Sequence, residues 1–399
     1  MQEQLPLPGE FLVYDYRKDI STLQKSSLKI LQWNVERNYE SEAIIATLKE
    51  LDPDIAILQE IDINCKRSQN RNHMQELCQK LRVKGGFVCE FLELDSPRRR
   101  QCDEGGGIHG NAILSKYDVD FRVLNHHYQG YDWDCDGDKL REPRKGRRYT
   151  LIGIVQAPHL PPLRCYSVHL EVFTGIIGRV SSFSEIFEDA AIHANDTPHQ
   201  IIFGDLNTMG HSIARLSPKY ACDRYRYLTL GETESAWWDR TVFGFHRSDG
   251  PINTSLAKAG FPTALWQLLS LLIKWSILEK VSGFDLAVLR MARNPGFYDP
   301  WDPDDVTLEN PDYFGLFKAK LDWTLLRCLE VTKKWSGNKD YSASDHAYLM
   351  VEIIPDKVSH PEQCYQTWLH RRQRPQTPHS LILTTLVVLL LAFAIHVFV

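Results

Sequence analysis

The chain has 399 residues, of which 43% are hydrophobic and 24% charged, and its formal net charge is −5. This balance fits a globular protein with one large domain or two smaller ones, and it gives no general reason to expect affinity for nucleic acid. The nine cysteines are an odd number without a C-x-x-C pair, which argues against a disulfide framework or a zinc site and indicates reduced thiols in a cytosolic setting.

Apolar runs of strand length alternate with amphipathic stretches along most of the chain. Residues 1–26 show weak patterning and are predicted to form a lead-in segment. Beyond them, the alternation predicts an α/β protein whose sheets are covered by helices. Strands are predicted at 28–34, 54–60, 87–92, 110–115, 149–156, 164–170, 200–204, 321–326 and 347–354, and helices at 40–51, 72–81 and about 178–194.

The segment DWDCDGDKLREP, at 132–143, has the acidic spacing that opens an EF-hand calcium loop. Such a loop needs a bidentate glutamate at its twelfth position, and Pro143 stands there instead. A solvated acidic loop is therefore the favoured interpretation. The basic runs KLREPRKGRR, at 139–148, and RRR, at 98–100, are interpreted as solvated surface, with contact to an anionic substrate or lipid headgroup as the alternative.

Residues 209–318 form a long section rich in tryptophan, tyrosine and acidic residues, which we interpret as an insertion. Within it, FPTALWQLLSLLIKWSIL at 261–278 is strongly apolar but contains Lys274. A core helix is the favoured interpretation, and a helix resting in a membrane interface is the alternative.

The C-terminal part of the sequence predicts a membrane anchor. A basic, proline-containing linker at 357–379 precedes a transmembrane helix predicted at 380–399, where 381–399 contains no charged residue and no polar helix face. Basic residues beside a span favour the cytosolic side. The chain shows no secretory signal at its N-terminus. It is therefore predicted to be a single-pass, tail-anchored protein of the endoplasmic reticulum or the mitochondrial outer membrane, with its globular part in the cytosol.

Polar side chains repeatedly stand where an apolar strand ends. Each of them alone fits a turn, a helix cap or a satisfied buried side chain. Their repetition indicates one site, because strand ends in α/β folds are where sites are assembled. The residues are Asn34, Glu60, His169, Asp205 and Asn207 at or after strand ends, Asp322 inside a strand, and Asp345 and His346 just before one.

The segments QWNVE, LQEID, GNAILS, SVHLE, GDLN, KLDW and SDH resemble, in this order, the motifs of the endonuclease/exonuclease/phosphatase family. Members of this family are magnesium-dependent phosphoesterases with a deoxyribonuclease-I-like fold. The resemblance implies a catalytic domain at 27–356, built as a four-layered α/β sandwich. Two stacked mixed β-sheets would be flanked by helices, with one active site at their shared edge.

The resemblance implies a metal site and a substrate-binding group. Glu60, Asn34 and Asp345 are expected to bind Mg²⁺, with Mn²⁺ as an alternative, because a hard cation prefers oxygen ligands and offsets the charge of a phosphate ester. Asn34 is also placed in the substrate-binding group, where it would orient water or phosphate. Asn111, in GNAILS, and Arg179, in the helix predicted at about 178–194, are the other substrate-binding candidates.

The catalytic roles follow from the same resemblance. Asp205 is expected to align or deprotonate the attacking water, with Asn207 fixing its position. His169 and His346 are expected to donate hydrogen bonds to the charge that develops on the phosphoryl oxygens. Asp322 would orient and charge His346, as a carboxylate supports a catalytic imidazole.

The substrate is less sharply indicated than the reaction. The chain has AKLDWTLL where an inositol-polyphosphate 5-phosphatase would have a PxWCDRVL-like stretch. A membrane tether raises the local concentration of lipids, which favours a membrane-lipid phosphoester as substrate of a sphingomyelinase-like, phospholipase C-like or phosphoinositide-directed enzyme. A nuclease or nucleotide phosphodiesterase is the first alternative, and an enzyme acting on soluble inositol or sugar phosphates is the second. A catalytically inactive, membrane-tethered binding module is the alternative of another class.

Overall fold

The computed structural model describes residues 5–18, 25–209, 233–245, 291–310 and 317–356. Within these ranges the α-helices are α1 (Ser41–Leu51), α2 (His73–Leu81), α3 (Trp133–Asp136), α4 (Ile176–Ile192) and α5 (Glu234–Trp237). The strands are β1 (Phe11–Asp15), β2 (Leu28–Asn34), β3 (Ile55–Ile63), β4 (Lys84–Glu93), β5 (Ile108–Ser115), β6 (Asp118–Asn125), β7 (Arg144–Gly146), β8 (Tyr149–Gln156), β9 (Leu163–His169), β10 (Gln200–Asp205), β11 (Leu308–Asn310), β12 (Phe317–Ala319), β13 (Asp322–Arg327), β14 (Leu329–Gly337) and β15 (Tyr348–Pro355).

The strands form two large mixed sheets and a small β11–β12 pair. The first sheet has the order β1-β4-β5-β3-β2-β15-β14, with β7 also paired to β4, and the second has the order β13-β10-β9-β8-β6. Each large sheet contains one parallel pair, β2 with β3 and β9 with β10, and its other pairs are antiparallel. The carboxyl ends of parallel strands lie at the same edge of a sheet, so each sheet offers one such edge for a site.

The two sheets stack face to face, with helices on their outer faces. Gln59 of β3 donates to Ser167 of β9 across the interface. Since neighbouring side chains of a strand point to opposite faces, Tyr166 points away from the interface, and its hydroxyl donates to Asp189 of α4. Helices α1 and α2 pack on the other face of the first sheet through a separate core that includes Ile44. The predicted α/β sandwich of stacked sheets with helices is confirmed.

The predicted strands and helices are present, with ends that differ by a few residues. Strands β7, β11 and β12, of three residues each, were not predicted. Strands β1, β6 and β14 were not predicted either, and β1 lies inside the supposed lead-in segment 1–26. All three are outermost strands of their sheets and are partly exposed. Because their faces are not buried, they lack the continuous apolar run by which the central strands were recognised.

Among the residues described, no helix combines the length and the apolar character needed to cross a bilayer. The apolar segment 261–278, the linker 357–379 and the segment 380–399 lie outside the described ranges.

Candidate active site

The ends of the two parallel strand pairs bring four predicted residues together. Asn34 ends β2, and its Nδ2 donates to Oδ2 of Asp205 at 3.1 Å and to Oε1 of Glu60 at 3.3 Å. His169 ends β9 directly beside Asp205, which ends β10. The edge shared by the two sheets therefore carries side chains from both, as expected from the strand-end pattern.

Glu60 reaches this edge through an irregularity in its strand. The register between β3 and β5 shifts between Leu58 and Ile61, and Glu60 has a positive φ of 61°. A bulge of this kind redirects a side chain out of the regular alternation. The Glu60 side chain remains 23% exposed, whereas the Asp205 side chain is only 2% exposed. Glu60 is thus more accessible to solvent and to a cation than Asp205 is.

Asp205 is held by a local turn and lies between two imidazoles. The backbone N–H of Asn207 donates to its Oδ1 at 2.8 Å, and Nδ2 of Asn207 donates to the carbonyl of Leu170 at 2.8 Å. Oδ2 of Asp205 lies 3.6 Å from Nε2 of His169 and 3.8 Å from Nε2 of His346. Burial raises the pKa of Asp205 to about 7. The turn at Asp205 and Asn207 therefore forms part of the candidate site.

His346 is paired with a buried carboxylate. Its Nδ1 lies 2.8 Å from Oδ2 of Asp322, whose Oδ1 accepts from Nε2 of Gln32 at 2.7 Å. Burial opposes protonation, but the negative charges of Asp322 and Asp345 hold the pKa of His346 well above its usual value. His346 is therefore a charged hydrogen-bond donor.

His169 has the opposite electrostatic surroundings. Its Nδ1 lies 3.0 Å from Nη1 of Arg148. Burial, followed by the positive charge of Arg148, lowers the pKa of His169 well below its usual value. The two imidazoles that face Asp205 thus differ in charge, with His169 neutral and His346 protonated.

A third acid, Glu36, joins Glu60 and Asp345 and was not predicted. Its Oε2 accepts from the backbone N–H of Asp345 at 2.9 Å. Burial raises the pKa of Glu36 to about 7, and the negative charges of Asp345 and Glu60 contribute to the rise. The sequence signal that could have identified Glu36 is its position in QWNVE, two residues after Asn34.

The mutual repulsion of these three carboxylates suits a divalent cation. Glu36, Glu60 and Asp345 offer hard oxygen ligands of the kind that Mg²⁺ prefers. Oδ1 of Asn34 accepts from the backbone N–H of Glu36 at 3.1 Å and its amide nitrogen faces the carboxylates, so in this structure Asn34 is a hydrogen-bond donor to them. Its role as a metal ligand stays a prediction.

A second group of potential ligands overlaps the catalytic residues. Asp205, Asp322 and His346 place one ligand atom each within 4.8 Å of one another. Oδ2 of Asp322 lies 2.8 Å from Nδ1 of His346 and raises the pKa of that imidazole, which disfavours the neutral form that a cation would need. Glu36, Glu60 and Asp345 are therefore the group proposed to hold the cation.

The other two substrate-binding candidates lie in different surroundings. Asn111 is completely buried on β5, and neither of its amide atoms has a hydrogen-bond partner within the described ranges. Arg179 pairs with Glu234 at 2.7 Å and donates to the carbonyl of Thr174 at 2.6 Å, where it is 2% exposed. Its guanidinium is thus used in a buried ion pair, and its role in substrate binding stays a prediction.

The acidic segment 132–143 does not converge on one point. Asp132 caps α3, and Asp134 accepts from the backbone N–H of Gly146. Asp136 pairs with Lys139. These carboxylates serve separate local contacts, in agreement with the solvated acidic loop.

The arginine side chains of the two basic runs include both exposed and buried ones. Arg98 is exposed and pairs with Asp138 at 3.0 Å. Arg99, Arg144 and Arg148 are buried, and each contacts at least one glutamate carboxylate. The prediction of solvated surface is therefore wrong for these three side chains, which neutralise buried acids.

The model of the Endonuclease/Exonuclease/phosphatase family matches residues 31–346 of this chain. Similar solved structures include an endonuclease/exonuclease/phosphatase protein from Beutenbergia cavernae, 15% identical over 83% of this chain and 72% of that chain, with a TM-score of 0.47. The human Nocturnin catalytic domain with bound sulfate is 13% identical over 86% of this chain and 96% of that chain, with a TM-score of 0.42.

The 3′ phosphatase NExo from Neisseria, bound to a product DNA hairpin, is 14% identical over 81% of this chain and 98% of that chain, with a TM-score of 0.40. No curated protein matches the sequence significantly. Structural similarity at these identities concerns the fold alone, so the family assignment rests on the family match over 31–346.

Proposed function

Because the chain belongs to the endonuclease/exonuclease/phosphatase family, whose members are phosphoester hydrolases, we propose that it is a metal-dependent phosphoesterase. The observation that carries this proposal is the position of Asp205, between the neutral imidazole of His169 and the charged imidazole of His346. Beside them lie the carboxylates of Glu36, Glu60 and Asp345. A base, two hydrogen-bond donors and a set of oxygen ligands are the groups that hydrolysis of a phosphate ester requires.

The acid group accounts for the metal dependence. A cation bound by Glu36, Glu60 and Asp345 would offset the negative charge that repels nucleophiles from a phosphate ester. Magnesium is the proposed ion, with manganese as the alternative, since both accept oxygen ligands.

The remaining residues perform the proton transfer and the charge stabilisation. The water oxygen forms a bond to phosphorus while the bond from phosphorus to the leaving oxygen breaks. Asp205 accepts the proton that the water loses, and its pKa of about 7 suits a base that works near neutral pH. His346, held by Asp322, donates to a phosphoryl oxygen on which negative charge develops. Asn34 fixes Oδ2 of Asp205 from the other side.

The proposed substrate is a membrane-lipid phosphoester. This choice depends on the apolar segment 381–399, because a membrane tether would bring the catalytic domain to lipids at high local concentration. A nuclease or nucleotide phosphodiesterase is the competing proposal.

Hydrolysis of bis-p-nitrophenyl phosphate by the full-length protein tests the proposed activity. We expect hydrolysis with Mg²⁺ and its loss in EDTA. Phospholipid vesicles, short DNA and RNA strands and nucleotides then identify the substrate class. No hydrolysis of any of these with Mg²⁺ or Mn²⁺ would contradict the proposal and favour a binding module.

A further inference from the structure

Arg148 is a buried guanidinium that lies beside the site without belonging to the residues assigned above. It stands in the connection between β7, in the first sheet, and β8, in the second. Its Nη1 donates to Oε2 of Glu90 at 2.9 Å, and its Nε donates to Oε2 of Glu171 at 3.3 Å. Glu90 belongs to β4, and Glu171 follows β9. Arg148 therefore links elements of both sheets.

The two carboxylates are themselves fixed, which limits the positions open to Arg148. Oε1 of Glu90 accepts from the backbone N–H of Tyr149 at 3.2 Å. Oε2 of Glu171 accepts from the indole N–H of Trp133 at 2.7 Å. Arg148 is only 7% exposed. A buried charge that contacts two immobilised acids has little freedom to turn away.

The same Nη1 atom lies 3.0 Å from Nδ1 of His169. A guanidinium carries N–H donors and no acceptor, so Nδ1 must accept in this contact and cannot hold a proton. The single proton of the neutral ring is then on Nε2. This is the ring atom that faces the site, 3.6 Å from Oδ2 of Asp205 and 3.9 Å from Oε1 of Glu60.

We propose that Arg148 is a positioning residue that fixes His169 as the Nε2–H tautomer. The ring then presents an uncharged hydrogen-bond donor to the site. His346, in contrast, faces the carboxylate of Asp322 through Nδ1 and donates as a charged ring. The use of the His169 donor in hydrolysis rests on the proposed function, whereas the tautomer does not.

A purely structural role is the competing explanation, because neutralising Glu90 and Glu171 is a sufficient reason to bury an arginine. Arg164 provides a matched control. It is 2% exposed at the other end of β9, and it pairs with Asp189 at 2.7 Å. Substituting Arg164 removes a buried arginine from the same strand as His169 without touching that imidazole.

The first measurement is the tautomer itself, by NMR of the full-length protein with ¹⁵N-labelled histidine rings in EDTA. The His169 signals are assigned by their loss in His169→Gln. We expect the proton on Nε2 in the wild type and in Arg148→Lys, because an ammonium also offers only donors. Arg148→Met should release the constraint and populate the Nδ1–H form, whereas Arg164→Met should not. A wild-type His169 with its proton on Nδ1 would overturn the proposal.

The second measurement is a double-mutant cycle on hydrolysis of bis-p-nitrophenyl phosphate with Mg²⁺. Arg148→Met should lower kcat by about 10–100-fold with little change in KM, as for other partners that orient an active-site histidine. In the His169→Gln background the same substitution should have almost no further effect on kcat, because Arg148 acts through that ring. Arg164→Met should lower thermal stability but leave kcat within about twofold, as expected for a distant, independent site.

An equal loss of kcat in both backgrounds would show that Arg148 does not act through His169 and would overturn the proposal. If Arg148→Met does not fold, the wild-type tautomer decides the first measurement, and Arg148→Gln, whose amide oxygen can accept a hydrogen bond from Nδ1, replaces Arg148→Met in the cycle. Arg148→Lys should retain more of the wild-type kcat than Arg148→Gln, whose amide oxygen also accepts; the reverse order would count against the proposal. A wild-type protein without hydrolytic activity would contradict the proposed function and leave the NMR result to decide the role of Arg148.

Discussion

Glu60 combines a carboxylate that we propose binds the metal with a backbone of positive φ at a bulge in β3. Replacing Glu60 by Gln keeps the size of the side chain and removes the charge that would attract Mg²⁺. We expect a large loss of activity that excess Mg²⁺ or Mn²⁺ partly restores, measured as the dependence of the rate on metal concentration.

Thermal unfolding should change little in this variant, since the Glu60 side chain is partly exposed. Glu50→Gln, on the exposed face of α1, serves as the control for loss of one carboxylate. Near-normal turnover of Glu60→Gln at low magnesium would mean that Glu60 is not a metal ligand.

Asp205 is the residue whose removal should affect the rate more than binding. An asparagine at position 205 cannot accept the proton of the attacking water, and general base catalysis contributes roughly 10²–10⁴-fold to a rate. We expect Asp205→Asn to lower kcat within that range while KM and metal affinity stay close to wild type. A weaker substrate affinity with unchanged kcat would contradict the role of Asp205 as base.

The raised pKa of Asp205 also predicts how stability depends on pH in the metal-free protein. Its pKa is about 7 in the folded state against a usual value of 3.8, so the folded state binds this proton more tightly than the unfolded state does. The resulting contribution to the free energy of unfolding is complete below pH 3.8 and is lost as pH rises to about 7. The asparagine of Asp205→Asn does not titrate, so this variant lacks the pH-dependent contribution to the free energy of unfolding.

Urea unfolding in EDTA at pH 4, 6 and 8 measures this effect, since these values bracket the window from about pH 4 to about pH 7. The stability of Asp205→Asn relative to wild type should increase from the lowest to the highest pH. A difference that stays the same at all three values would show that burial does not raise the pKa of Asp205.

At the scale of elements, the parallel pair β9–β10 sets the distance between His169 and Asp205. A Cβ added at Gly204 of β10 would lie 1.9 Å from the backbone carbonyl oxygen of Val168 in β9. That oxygen belongs to the backbone and cannot rotate away. The close contact of these two strands therefore depends on the missing side chain.

Gly204→Ala should push β9 and β10 apart, because overpacking a filled site costs about 1–3 kcal/mol or more. We expect both the free energy of unfolding and kcat to fall, measured by urea unfolding and by ester hydrolysis. Gly153→Ala in β8 is the matched control, since its Cβ would lie 3.0 Å from the Val119 side chain. Equal effects of the two substitutions would contradict a specific role for the β9–β10 contact.

At the scale of the whole molecule, we expect the C-terminal segment 381–399 to be dispensable for hydrolysis at the candidate site. Deleting residues 381–399 should release the protein into the cytosol and leave hydrolysis of a soluble ester unchanged, because the candidate site lies within 34–346. Hydrolysis of lipids in vesicles should decrease, since the anchor would supply local concentration rather than contacts. Cell fractionation and activity on the two substrates provide the measurements.

Protease treatment of intact microsomes and mitochondria tests the predicted orientation of the full-length protein. The basic linker at 357–379 favours a cytosolic catalytic domain that the protease removes. A domain that resists protease until detergent is added would lie in a lumen and would contradict both the orientation and the interpretation of the nine cysteines as reduced.

The family and the α/β class are recognisable from the sequence, and so are most residues of the candidate site. Asn34, His169 and Asp205 were recognisable because each ends an apolar strand. A continuous apolar run in the sequence predicts that a strand is buried. The edge strand β14 was missed for the same reason, because only its context makes it a strand. Glu36 lies in a recognised motif, but it accepts from the backbone N–H of Asp345, which is 309 residues away along the chain. Sequence spacing does not indicate a contact over that separation.

The tertiary structure alone decided the contacts that give these residues their charge and orientation. Sequence spacing did not indicate that Arg148 would face His169 or that Arg179 would pair with Glu234. Nor did it indicate that the amide nitrogen of Asn34, rather than its oxygen, would face the carboxylates. Strand periodicity acts over two residues, whereas the protonation of a buried group depends on whichever side chains the fold brings within a few ångströms.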